Sequence, residues 1–164
     1  MIKLSQTDYK KLYNKIFKTL KNLTPLKADC GQLCSGACCK GDSTTGMRLF
    51  PHEESSLPVI TTDNGIRLVV CTGACNRDER PLACRIFPFF PTVDDKNRVY
   101  VELDYRGYNL CPMIEHFDEI LFDKRFLRAI KKVGKILVKD EKCRKFLQES
   151  TKEIDTYHSF LFKE

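Results

Sequence analysis

Across residues 6–22, Tyr9, Leu12, Tyr13, Ile16 and Leu20 recur at steps of three and four, with lysines on the positions between them. That spacing predicts an amphipathic helix ending before Pro25. From Thr24 to Gly46 the apolar period disappears and Gly, Ser, Thr and Cys take over, the composition of a loop. A loop of that length in a small domain needs something to hold it, and a metal ion is the first candidate. Residues 47–50 (MRLF) read as a short strand, and PHEESSL after them as one or two helical turns opened by Pro51.

VITTDNGIRLVV then places two β-branched runs around Asp63, Asn64 and Gly65, a hairpin signal. TVDDKNRVYVEL predicts a second hairpin turning near Asp95, Lys96 and Asn97, so the middle of the chain is expected to form a small antiparallel sheet. Beyond Pro112 the period returns to that of a helix, with Phe122, Phe126, Ile130, Val133 and Leu137 on one stripe. Lys124, Arg128, Lys131, Lys135 and Lys139 line another face, and a further helix starts at about Glu141. The expected fold class is α+β: an N-terminal helix, a small antiparallel sheet with cysteine-rich loops around a metal centre, and C-terminal helices. It is expected as a single domain, 1–164, with a cysteine-cluster core over 28–112 and a helical part over 113–164.

Length and composition fit this picture. With 164 residues, 42% of them hydrophobic and 30% charged, the chain can bury a core without crosslinks. The first twenty residues interleave lysines with every turn, which excludes a secretory signal, and no segment is apolar over the ~18 residues that a membrane span needs. A cytoplasmic protein without a membrane contact is therefore expected. In a reducing compartment, nine cysteines speak for metal binding or redox chemistry rather than for a disulfide framework.

Eight of the nine fall into four short patches, at 30–39, 71–75, 84 and 111. CGQLCSGACC supplies Cys30, Cys34, Cys38 and Cys39; CTGACNRDERPLACRIFPF supplies Cys71, Cys75 and Cys84; Cys111 precedes Pro112. Small residues between the thiols suit ligands that must converge to about 2.3 Å from a zinc ion. In an extended backbone Cys38 and Cys39 would point to opposite sides and serve two different metal sites, whereas a tight turn would aim both at one. Two four-cysteine sites, or one four-cysteine cluster with four thiols left over, both fit the number. The spacing differs from the C-x2-C runs of bacterial ferredoxins and zinc ribbons. Cys143, alone in a charged helix, is read as a buried thiol.

Lys40, Arg77, Arg80 and Arg85 follow the thiols closely, with Arg80 and Arg85 the candidates to donate to sulfur and offset its charge. His52, His116 and His158 are widely separated and read as surface or packing residues, with His52 and His116 as substitute ligands. No serine stands in a nucleophile-elbow context, so a conventional hydrolase is not expected. The formal net charge of +6 suggests an anionic partner, yet thiolate-bound metal is itself anionic and brings the loaded chain close to neutral. Asp118, Glu119, Asp123, Asp140 and Glu141 lie near the basic helix positions, so a solvated surface is expected there and a nucleic-acid partner is not.

The closely spaced group ending in Cys38-Cys39, taken with the later RPLACRIFPF, resembles the YkgJ-like cysteine-cluster family, described as zinc- or iron-chelating proteins. The resemblance covers about residues 28–112 and sets Cys30, Cys34, Cys38, Cys39, Cys71, Cys75, Cys84 and Cys111 on the family's cysteine positions. Arg80, Pro81, Arg85, Phe87 and Pro88 match its arginine-proline and phenylalanine-proline positions. Between the first cysteines this chain has three residues where the family more often has two. A related domain occurs in flagellin lysine N-methylases, which are longer chains that use an iron–sulfur centre, but no glycine-rich fingerprint for an adenosyl or nucleotide cofactor is present here. The expected function is thus a metal-binding cysteine-cluster protein holding zinc or iron, a [4Fe-4S] cluster included, in an accessory, redox or modification role. The alternative is a zinc-stabilised module that contacts a protein or nucleic-acid partner.

Overall fold

Residues 5–28, 30–41, 46–71, 73 and 76–163 are described by the computed structural model of the chain. Helix α1 spans Gln6–Leu20 and opens with a capping box: the Asp8 carboxylate accepts the Ser5 N–H at 3.0 Å, and Ser5 Oγ accepts the Asp8 N–H at 3.3 Å. Its buried stripe is Tyr13, Ile16 and Leu20, three of the five positions the sequence pattern selects. The following segment is more ordered than a plain loop, with a short helix α2 at Gly31–Cys34 and a 3-10 turn at Ala37–Cys39.

Two antiparallel sheets form where one was expected. The first has the order β1-β3-β2, from Met47–Arg48, Val59–Thr61 and Arg67–Val69. Val69 lies opposite both Met47 and Val59, so the predicted hairpin gains a third strand from MRLF. The second is the β4–β5 hairpin, Phe89–Val93 with Val99–Leu103. Strand β4 begins three residues before the TVDD motif, because Phe89 and Phe90 are buried in the core with the rest of the strand.

PHEESSL forms no helix. Tyr13 Oη donates to the Pro51 carbonyl at 2.7 Å, His52 sits at φ +64°, and the Glu53 carboxylate accepts the Phe50 N–H, so the segment folds back instead of winding. Helix α3 (Leu82–Ile86) and helix α4 (Pro112–Glu115) are single turns. Helix α5 runs Lys124–Leu137 and helix α6 runs Glu141–Leu161, capped by the side chains of Asp123 and Asp140.

Helix α5 buries Phe126, Ile130, Val133 and Leu137 completely, each worth about 1.5–3 kcal/mol of transfer free energy. It packs on β4 and β5 and on α1, while α6 packs on β4. Strand β4 is therefore buried along its whole length, whereas β5 leaves Tyr100 and Glu102 exposed. Gly134 allows the close approach of α5 to the hairpin, since a Cβ there would stand 2.6 Å from Val99 Cγ1 and 2.8 Å from Pro91 Cβ.

Candidate metal centre

The cysteines come from short turns at the ends of these elements. Cys30 precedes α2 and Cys34 ends it; Ser35 and Gly36, both with positive φ, reverse the chain into the turn that carries Cys38 and Cys39. Glycine at position 36, with φ +67°, takes that left-handed conformation without strain. Cys71 follows β3, and its carbonyl accepts the Gly41 N–H at 2.9 Å, which ties the second patch to the first. Cys84 lies in α3, and Cys111 caps α4 with its N–H bound to the Gly107 carbonyl at 3.0 Å.

Cys30, Cys34, Cys38, Cys39, Cys71, Cys84 and Cys111 all line one chamber of about 60 Å³. Cys75, the remaining candidate ligand, lies outside the described residues. Leu33, Met47, Val69, Phe87 and Met113 complete walls that are mostly apolar, and Arg80 joins them. A water needs about 10–15 Å³ of such volume, so the chamber has room for several atoms. Among the described residues, no three Cys, His, Asp or Glu side chains already stand as a closed metal-ligand set. The thiols are gathered around one space without being drawn to one point.

The thiols of the chamber feel one another. Burial, and after it the neighbouring Cys39, Cys34 and Cys30, push the Cys38 thiol up to about 12. Burial likewise raises the Cys111 thiol, with Cys34 and Cys30 adding to it against the N–H groups of Met113 and Ile114. Cys38 and Cys39 do not face opposite sides as in an extended strand: both line the same chamber, because residues 37–39 form a 3-10 turn.

Arg85 has a different role from the one its position suggests. Its Nε and Nη2 donate to the carbonyls of Arg80 and Asp78, each at 2.6 Å, and its guanidinium lies 4.4 Å from the Phe17 ring centroid. It shapes the loop ahead of Cys84 and ties it to α1; Arg80 lines the thiol chamber itself, while Arg85 stands with Arg77, Cys30 and Cys84 around the neighbouring cavity. The histidines do not reach the chamber. His52 stacks on Tyr9 at 3.6 Å, His116 lies on the surface beside Glu115, and His158 packs on Tyr105. Cys143 is buried elsewhere, its sulfur 3.8 Å from the Pro51 carbonyl, in agreement with its reading as a packing thiol.

One residue that supports the site has no local sequence signal. Glu53 is fully buried, and its carboxylate accepts the Phe50 N–H at 3.0 Å and the Leu82 N–H at 2.6 Å. It thereby fixes the start of α3, the turn that carries Cys84. Burial pushes its carboxyl up to about 7, against the two N–H donors and the more distant Arg85 and Arg67.

No family model, no curated protein and no solved structure matches the chain. No helix among the described residues is long and apolar enough to cross a membrane.

Proposed function

We propose that the chain is a metal-binding cysteine-cluster protein whose chamber takes zinc or iron, the latter as single ions or as an iron–sulfur cluster. The observation that carries this reading is the convergence of seven cysteines, from four separated stretches of sequence, on one small and largely apolar space. The likeness of the cysteine pattern to the YkgJ-like family points the same way.

The donor set fits a thiophilic metal. Sulfur ligands favour zinc, copper(I) and iron–sulfur centres over magnesium or calcium, and no carboxylate lines the chamber among the described residues. Bound metal would supply the positive charge that stabilises several thiolates side by side. The chain's own part is to hold the sulfurs on short turns, to wall the space with the apolar side chains of Phe87, Met47 and Met113, and to offer the Arg80 guanidinium as a countercharge. Because Cys38 and Cys111 are held as neutral thiols by burial, loading must release protons to solvent.

The test is elemental analysis and the visible spectrum of protein purified without oxygen, repeated on a Cys38→Ser, Cys39→Ser double variant and on Cys143→Ser. Stoichiometric zinc, or iron with sulfide and colour, that is lost in the double variant and kept in Cys143→Ser is expected. Protein without metal, or with metal that the double variant retains in full, overturns the reading.

A further inference from the structure

The basic residues are distributed unevenly over the fold. Helices α1 and α5 together carry ten lysines and arginines and one carboxylate, Asp8, which caps its own helix. Of the 28 basic and 22 acidic residues in the chain, that leaves 18 and 21 elsewhere, so the whole positive excess sits on these two helices. Helix α6 is an internal contrast, with four basic side chains and four acidic ones over Glu141–Leu161. Solvated helices ordinarily interleave the two signs in that way.

The two basic helices pack against each other and form a groove of about 650 Å³ lined by Lys11, Asn14, Lys15, Lys18, Thr19 and Lys132. The carboxylates that lie near in sequence are engaged elsewhere. Asp123 caps α5 and pairs with Arg125 at 2.8 Å, Asp140 caps α6 and binds Tyr9, and Glu141 pairs with Lys145 at 3.1 Å. Among the described residues, none stands within ion-pair distance of the four lysines of the groove, although the capping Asp8 acts on Lys11 at longer range.

We infer that this groove binds the phosphodiester backbone of double-helical nucleic acid, without reading its sequence. Lys11, Lys15 and Lys18 stand on successive turns of α1, about 6 Å and 4.5 Å apart along the axis, and their long flexible side chains let the ammonium groups adjust to neighbouring phosphates. Asn14 adds an amide donor between the charges, whereas the Thr19 hydroxyl donates back to the Lys15 carbonyl at 3.0 Å. Among the described residues, no aromatic side chain lines the groove, so it lacks the stacking platform that single strands require and the anchor that a protein partner uses. The apolar stripes of both helices are buried in the core, so neither helix has an apolar face to insert into a bilayer.

The test is fluorescence anisotropy of a short labelled DNA duplex titrated with the full chain at several salt concentrations. Four phosphate contacts give a slope of log K against log salt of about −3 to −4, which is about a hundredfold loss of affinity between 50 and 200 mM. Lys11→Glu, Lys15→Glu and Lys132→Glu together should abolish binding, and Lys142→Glu, Lys145→Glu and Lys152→Glu on α6 should leave it within severalfold. Circular dichroism establishes that each variant is folded, and its metal content, read separately, keeps this proposal apart from the one about the chamber. No binding at low salt, binding that the groove variant retains, or equal loss in the α6 variant overturns the inference. So does tighter binding to vesicles of equal parts phosphatidylcholine and phosphatidylserine than to the duplex.

Discussion

Replacing Glu53 by glutamine tests how α3, and with it Cys84, is held in place. The native state binds the Glu53 proton more tightly than the unfolded chain does, since burial raises this carboxyl from 4.5 to about 7. Its contribution to stability is therefore complete below pH 4.5 and is lost as the pH rises through 7. Fully developed, the loss amounts to about 3 kcal/mol. Glutamine has nearly the same volume but only one acceptor oxygen, so either the Phe50 or the Leu82 N–H loses its partner, at a cost of about 1–3 kcal/mol that does not vary with pH. Urea denaturation of both proteins at pH values from below 4.5 to above 7 measures the difference directly. The advantage of the wild type should be largest at the acid end and should shrink by about 3 kcal/mol across the window, about 6–12 °C in the difference of Tm for a chain of this size. Asp94, Asp123 and Glu153, whose carboxyls are held below their usual range, titrate in both proteins and cancel. Parallel stability curves for the two proteins would refute the account of Glu53.

Gly134→Ala should lower stability by about 1–3 kcal/mol in a thermal melt, although alanine is the better helix former, because its methyl has no room between Val99 and Pro91. Glu153→Gln should cost about 1 kcal/mol at low salt and less at high salt. It weakens the carboxylate bridge to Arg48 at 2.8 Å and Arg106 at 2.9 Å, and the partial exposure of the three side chains keeps the effect small.

The long helices were legible because their stabilising contacts follow a single period. Phe126, Ile130, Val133 and Leu137 announce α5 before any partner is known, and all four are buried as that period requires. Both hairpins were legible from their turn residues. PHEESSL misleads because what decides its conformation is far away in sequence: Tyr13 takes the Pro51 carbonyl, and Glu53 binds the N–H of Leu82. The same holds for the link from Tyr9 to Asp140 across 131 positions. At the site, residue type and clustering marked the cysteines that line the chamber, and they also marked Arg80. They did not separate Arg85, whose donors turn to backbone carbonyls, because arginines on either side of one short loop look alike in a linear sequence.

The spread of the chamber walls along the chain has a consequence in time. Cys30 and Cys111 line the same space, so some 80 residues must be synthesised after the first wall before the last exists. At about 5–20 residues per second this takes about 4–16 seconds, far longer than a helix needs to form. Between its own emergence from the ribosome and that of Cys111, the CGQLCSGACC segment has its four thiols outside any folded chamber, exposed to oxidants and to any metal ion they meet first. Helices α5 and α6, which enclose the hairpin next to the chamber, follow later still. The order of synthesis thus leaves the first four thiols open to oxidation before the chamber that gathers them exists, and in the finished fold Cys30, Cys34, Cys38 and Cys39 stay partly exposed.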